Sequence, residues 1–340
     1  MLRRTLQIPV DIPLDDSEAL VIAVEIFAPE PERLVHPALL LACLPGGGMN
    51  RRYFDLVLGD DESTSFARQL AIQGAIVVTI DPLGIGGSTR PDNGFALSPD
   101  LLAAANAQAL DWVLDQLRRG ALFQDWPDLA EIAVIGVAHS VGCLLTVLQQ
   151  AAFHSFDGLA LLGFSNRGLP QVLTLEEKAF AGHGEAARAA LHRLARTRFT
   201  EPYPQLTGTQ QGRELFGRAK VERKAVEALA PARDRLLPQV ATLVLIPGSI
   251  ASDCGGIDVP VFLALGDLDF CGPPHDIPAS FPKSPDVTLL ILPETGHTHF
   301  IFPSRVTLFR RLHDWARSAV VAVGPPIAES IKTAVPLGAS

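Results

Sequence analysis

Residues 131–146, EIAVIGVAHSVGCLLT, constrain the fold of this chain more than any other stretch. Ile132 to Val137 form a short apolar run rich in β-branched residues, the pattern of a strand buried on both faces. An apolar helical pattern follows from Cys143 to Val147. Only Ala138, His139, Ser140, Val141 and Gly142 are left to turn the chain between them. So tight a strand-to-helix turn needs small side chains, which Ala138 and Gly142 supply. It also places Ser140 at the tip in a strained backbone conformation, at the positive end of the following helix.

The rest of the chain repeats the strand and helix signals around this turn. Residues 5–10 and 20–28 predict opening strands in antiparallel pairing, and 38–44 a buried strand that runs into Pro45-Gly46-Gly47-Gly48-Met49-Asn50. A helix is expected over 63–73, a strand over 75–80 ending at Asp81-Pro82, and a long amphipathic helix over 98–119 entered through Ser98-Pro99-Asp100. Another strand is expected over 158–164. Residues 166–240 then carry helical periodicity with almost no strand signal. Strand patterns resume at 242–247, 259–265 and 287–292, and a final helix is expected over 304–319. Strands alternating with helices predict the α/β class, a mostly parallel, doubly wound sheet with helices on both faces. The domain reading is a core formed by 1–165 and 256–319, a helical cap inserted over 166–255, and an extended tail over 320–340.

Composition narrows the class further. The chain has 340 residues, 48% of them hydrophobic, and can bury a large core. Its net charge is −9 and it has no long basic run, so a nucleic-acid partner is not expected. No stretch is long and apolar enough for a membrane span. Two arginines near the N-terminus precede no apolar segment of the kind a secretory signal needs. Cys43 and Cys143 lie in apolar runs and read as buried thiols; pairing of Cys254 with Cys271 is not expected. The cysteines and histidines show no metal-ligand spacing, so neither metal nor cofactor is expected, and the expected address is the cytoplasm.

A serine at such a turn becomes a nucleophile only if a base takes its proton and a carboxylate orients that base. In the nucleophile-elbow arrangement these groups follow in the order serine, acid, histidine. Gly266-Asp267-Leu268-Asp269 follows the strand at 259–265, and Gly296-His297-Thr298-His299 follows the strand at 287–292. Asp81 also ends a strand but stands in the wrong order, and His139 reads as a packing residue.

On these motifs, A-H-S-V-G, G-D-L-D and T-G-H-T-H, the chain resembles the α/β-hydrolase superfamily over about residues 20–318. The resemblance implies an eight-stranded-type sheet. It implies a catalytic triad of Ser140, Asp269 (three residues after its glycine) and His297 (directly after its glycine). Asp267 is then left to brace its loop, and loss of His299 is expected to cost less than about tenfold. The sequence departs from the common pattern at Ala138, where glycine is more usual, and at P-G-G-G, where esterases often carry H-G-G-G. The oxyanion of a tetrahedral intermediate needs preorganised backbone N–H groups, and these are expected from Val141 and from Gly47 or Gly48. Met49, Tyr53 and Phe54 are candidates to line the acyl pocket.

The implied activity is hydrolysis of a carboxylic ester or lactone through an acyl-enzyme. With 17 Phe against two Tyr, and a helical cap, the expected substrate is a fairly bulky apolar small molecule. Acyl transfer or C–C bond hydrolysis by the same triad stays open, as does a non-catalytic binding protein and a homodimer.

Overall fold

The computed structural model describes residues 1–14, 19–59, 61–206, 221 and 223–323. Eight strands form one sheet: β1 (Leu2–Pro9), β2 (Val21–Ala28), β3 (Ala38–Leu44), β4 (Ile76–Asp81), β5 (Ile132–His139), β6 (Gly158–Leu162), β7 (Val261–Gly266) and β8 (Val287–Leu292). Their spatial order is β1-β2-β4-β3-β5-β6-β7-β8. β2 runs antiparallel to both β1 and β4, and every other pairing is parallel.

The continuous apolar runs are explained by burial on both faces. Leu40, Ala42 and Leu44 of β3 enter one core cluster, while Leu39, Leu41 and Cys43 of the same strand enter the other. The first cluster is covered by α2 (Pro99–Arg118) and α3 (Val141–Phe153); the second is covered by α1 (Phe66–Ile72) and the last helix, Arg305–Val323. Side-chain caps start two of these helices where the sequence supplies them. Ser65 accepts from the Arg68 amide and Ser98 from the Leu101 amide, with Pro99 in the first turn.

Between β6 and β7 the chain leaves the sheet and returns beside the strand it left, since Leu159 pairs with Val261. Among the described residues, the intervening helices are α4 (Leu175–Lys178), α5 (Gly184–Arg198), α6 (Arg223–Ala228), α7 (Pro238–Leu243) and α8 (Ala251–Gly256). The last helix is therefore α9. The strand expected at 242–247 is not present. Pro238 opens α7 at a position where its missing N–H costs nothing, the Thr242 hydroxyl donates back to the Pro238 carbonyl at 2.8 Å, and turns carry the chain on through Ile246. The apolar character that imitated a strand there comes from burial of Val240, Leu243 and Ile246 against the core.

All four cysteines are free and buried. Among the described residues, no helix is long and apolar enough to cross a membrane. The last helix runs to Val323, and the remainder of the expected tail lies outside the described residues.

Candidate active site

The turn after β5 has the strained geometry its sequence called for. Ser140 sits at φ 52° and ψ −118°, conformational strain of about 1–3 kcal/mol that only a heavily constrained site sustains. The constraints are local. Its amide donates to the Leu162 carbonyl at 2.8 Å, and its carbonyl accepts from the Cys143 amide at 2.9 Å. Gly142 lets α3 approach β3: a Cβ there would lie 2.5 Å from the carbonyl oxygens of Leu44 and Pro45. Ser140 stands at the N-cap of α3 but its hydroxyl makes no cap bond, so it is left to the cavity above.

Asp269 lies in the turn after β7 and His297 in the loop after β8. His297 Nδ1 donates to Asp269 Oδ1 at 2.9 Å, and the Cys271 amide donates to the same oxygen at 3.1 Å. The pair is held from below by Gly163. At φ +63°, a side chain there would be strained, and its Cβ would meet His297 Cε1 at 2.9 Å. Phe270 covers the imidazole, with ring centroids 4.2 Å apart. Burial alone would raise the Asp269 carboxyl. The neighbouring His297, by charge and by hydrogen bond, outweighs it and holds the carboxyl well below the usual carboxylate range. Asp267 is engaged elsewhere: its Oδ1 accepts from the Thr295 amide at 3.1 Å and ties the acid turn to the histidine loop.

His139 is buried beneath this assembly. Its Nε2 lies 2.8 Å from the His297 carbonyl, which requires the proton on that nitrogen. Desolvation, reinforced by His297 and His299, pushes its pKa well below 6.5, so the ring stays neutral.

The glycine loop after β3 meets the turn from the other side. Gly47 faces Val141, its hypothetical Cβ being 3.0 Å from Val141 Cγ2, and both line the cavity. Gly48 does not. Its φ of +72° turns it toward the insert, where its carbonyl accepts from the Asp234 amide at 2.7 Å. In place of a histidine brace, the loop is anchored through Asp81. That buried carboxylate accepts from the Arg51 amide at 2.6 Å and the Gly87 amide at 2.9 Å, and pairs with the Arg51 guanidinium.

Of the three pocket candidates, Met49 lines the cavity and Tyr53 and Phe54 do not. Both rings are fully buried in an aromatic cluster, Tyr53 stacked on Phe300 at 4.7 Å and Phe54 edge-on to Phe66 at 5.8 Å. The short helical turn Arg51–Asp55 rotates them inward, capped by the Asn50 side chain on the Arg52 amide.

Ser140 and His297 open together on a cavity of about 300 Å³, at the small end of ligand pockets. The insert supplies much of its wall: Leu236, Ala241, Val244, Leu245 and Ile250, with Phe199 at the end of α5. Leu144 and Phe164 contribute from the core. These wall residues carried no signal beyond apolarity. Cys271 lines the cavity too; burial, with Asp269 beside it, raises its thiol well above the ordinary range, so it is protonated and donates to the Gly163 carbonyl at 3.0 Å.

Asp269, Cys271 and His297 bring three potential metal-ligand atoms within 4.8 Å of one another. Their protons are already committed, the imidazole's to Asp269 and the thiol's to Gly163, so the trio fits a hydrogen-bonded unit better than an ion. EDTA is therefore expected to leave turnover unchanged. Loss of activity on chelation, restored by a divalent ion, would assign the chemistry to a metal-bound water instead.

A sequence profile of the Alpha/beta hydrolase family matches residues 41–307. Comparison with curated protein sequences finds no match. Among solved structures, a thermophilic esterase from Thermogutta terrifontis superposes with a TM-score of 0.60 at 14% identity, covering 93% of this chain and 99% of that one. A proline iminopeptidase from Mycobacterium smegmatis gives 0.58 at 18% identity, covering 94% and 99%. The alpha/beta hydrolase GrgF from Penicillium sp. sh18 gives 0.58 at 18% identity, covering 94% and 100%. At these identities the likeness is one of fold.

Proposed function

Because the chain belongs to the alpha/beta hydrolase family, we propose that it is a serine hydrolase that cleaves a carboxylic ester or lactone of an apolar small molecule. The observation that carries this reading is the convergence of a strained, uncapped serine and a buried His297–Asp269 pair on one apolar cavity.

Ser140 Oγ attacks the substrate carbonyl while His297 Nε2 takes its proton. Asp269 on Nδ1 fixes the tautomer that leaves Nε2 free to accept, and stabilises the imidazolium that forms. The amides of Gly47 and Val141 receive the developing oxyanion. His297 then gives its proton to the departing alkoxide, and a water activated by the same imidazole releases the acyl group from Ser140. Acyl transfer would differ only in the acceptor that replaces this water, so product analysis separates the two.

The test is fluorophosphonate labelling with identification of the modified residue, followed by a panel of esters, lactones and thioesters. Labelling at Ser140 and turnover of apolar esters or lactones are expected; a protein that stays unlabelled and inert across the panel overturns the reading.

In this reading the insert over the cavity is the cap that selects the acyl group. Ala241, 8% exposed on α7, is the sharpest place to check it. Ala241→Phe is expected to lower kcat/KM for long or branched acyl esters about tenfold or more while leaving acetyl esters within about threefold. Equal losses on both would remove the insert from acyl selection.

A further inference from the structure

His299 is the histidine that the reading above leaves without a task, and its surroundings suggest one. It is fully buried, and neither ring nitrogen makes a hydrogen bond. Its Nε2 lies 3.5 Å from Asp269 Oδ2. That oxygen is also buried and has no hydrogen bond, whereas Oδ1 takes both His297 Nδ1 and the Cys271 amide. Two unsatisfied buried groups of opposite hydrogen-bonding sense therefore face each other, slightly beyond the usual 2.7–3.2 Å. Contacts of this kind commonly tighten when a substrate complex forms.

The tautomer follows from the pair. A neutral imidazole carries one proton. On Nδ1, it would leave the Nε2 lone pair against a buried carboxylate oxygen. On Nε2, it becomes a donor to that oxygen. Charging His299 is opposed by burial, which lowers its pKa against the pull of Asp269.

We propose that His299 is a positioning residue: its Nε2–H donates to Asp269 Oδ2 and locks the carboxylate that orients His297. This inference rests on the triad reading above. The carboxylate is then held by a histidine at each oxygen and cannot rotate away from His297 when the imidazolium forms. The contact with Asp269 raises the expected cost of losing His299 above the roughly tenfold ceiling that its place in the loop alone implies.

Two variants separate donation from packing. His299→Phe keeps a ring and removes the donor; His299→Gln keeps an amide N–H near the place of Nε2. kcat on an ester found in the panel is expected to fall roughly 10- to 100-fold in the Phe variant with KM within about twofold, since His299 does not line the cavity. The Gln variant is expected to recover to within about fivefold of wild type. Recovery by Phe rather than Gln overturns the inference.

A second readout needs no turnover. Long-range ¹H–¹⁵N NMR of the imidazoles should show His299 protonated on Nε2, with the signal moving in Asp269→Asn. An Nδ1–H tautomer, or a signal indifferent to Asp269→Asn, overturns the inference. Fluorophosphonate labelling of the wild type tells the two failures apart: an unlabelled Ser140 counts against the hydrolase reading, while the tautomer still decides His299.

Discussion

Ser140→Ala is expected to abolish fluorophosphonate labelling and to lower kcat on the order of 10⁴-fold or more, with the fold retained. The size follows from the covalent catalysis proposed above: in that mechanism, without Oγ no acyl-enzyme can form, and His297 and Asp269 have no proton to move. Retention of the fold follows from the local contacts. Ser140 holds its place through its amide on Leu162 and its carbonyl on Cys143, neither of which the substitution touches. Alanine removes a hydroxyl that makes no cap bond to α3. Its backbone must still adopt φ 52°, at no greater cost than serine pays. Near-wild-type melting temperature together with lost turnover is the expected pair of measurements. Labelling that persists in the variant would move the nucleophile to another residue.

His297→Ala and Asp269→Asn are expected to lower kcat by roughly 10³- to 10⁴-fold or more, and Asp267→Asn by less than about tenfold. The two aspartates stand only two positions apart, yet their oxygens go to different partners. Asp269 Oδ1 accepts from His297 Nδ1, whereas Asp267 Oδ1 accepts from the Thr295 amide. An asparagine at 269 can present its NH₂ to His297 and drive the proton onto Nε2, the nitrogen that in the proposed mechanism accepts from Ser140. An asparagine at 267 keeps an oxygen for Thr295. Steady-state kinetics on one ester checks the order, and a larger effect at Asp267 would mean that the acid turn works one register away from where its hydrogen bonds place it.

The strand-and-helix grammar of this protein is written locally, and so it could be read from the chain. β8 spans the expected 287–292, and Ser98-Pro99 starts α2 where a proline is tolerated. The sheet itself was legible because β3 to β8 are short, largely apolar runs beside turns, whereas the polar and mostly exposed β1 is an edge strand. The chemical types around Ser140, Asp269 and His297 were visible for the same reason, since they sit where strands end. Residues whose placement depends on three dimensions were not. Tyr53 and Phe54 lie close in sequence to Met49, but one helical turn swings them away from the cavity into the aromatic cluster. The segment 242–247 has the composition of a strand because it is buried, and only the proline upstream marks it as the end of a helix. Gly47 and Gly48 are identical in type, and the sign of one backbone angle decides which of them faces Val141. His299 looked idle because the oxygen it faces belongs to a residue thirty positions earlier in the loop order of the sheet's last two strands.

The departure of the chain from β6 and its return as β7 has a consequence for how such a protein can change over time. Leu159 and Val261 are neighbours in the sheet, so residues 163–260 form one closed excursion. The entropy of closing an excursion grows only with the logarithm of its length, about 0.6 kcal/mol per doubling for a flexible chain. Helices can thus be lengthened, exchanged or added there at little expense to the register of the sheet. Ser140, Asp269 and His297 all lie outside those boundaries, while Leu236, Ala241 and Leu245 lie inside them. Drift within the excursion reshapes the walls of the cavity and leaves these three side chains where the strands put them, so under the proposed function descendants of this chain can acquire new substrates without rebuilding their chemistry.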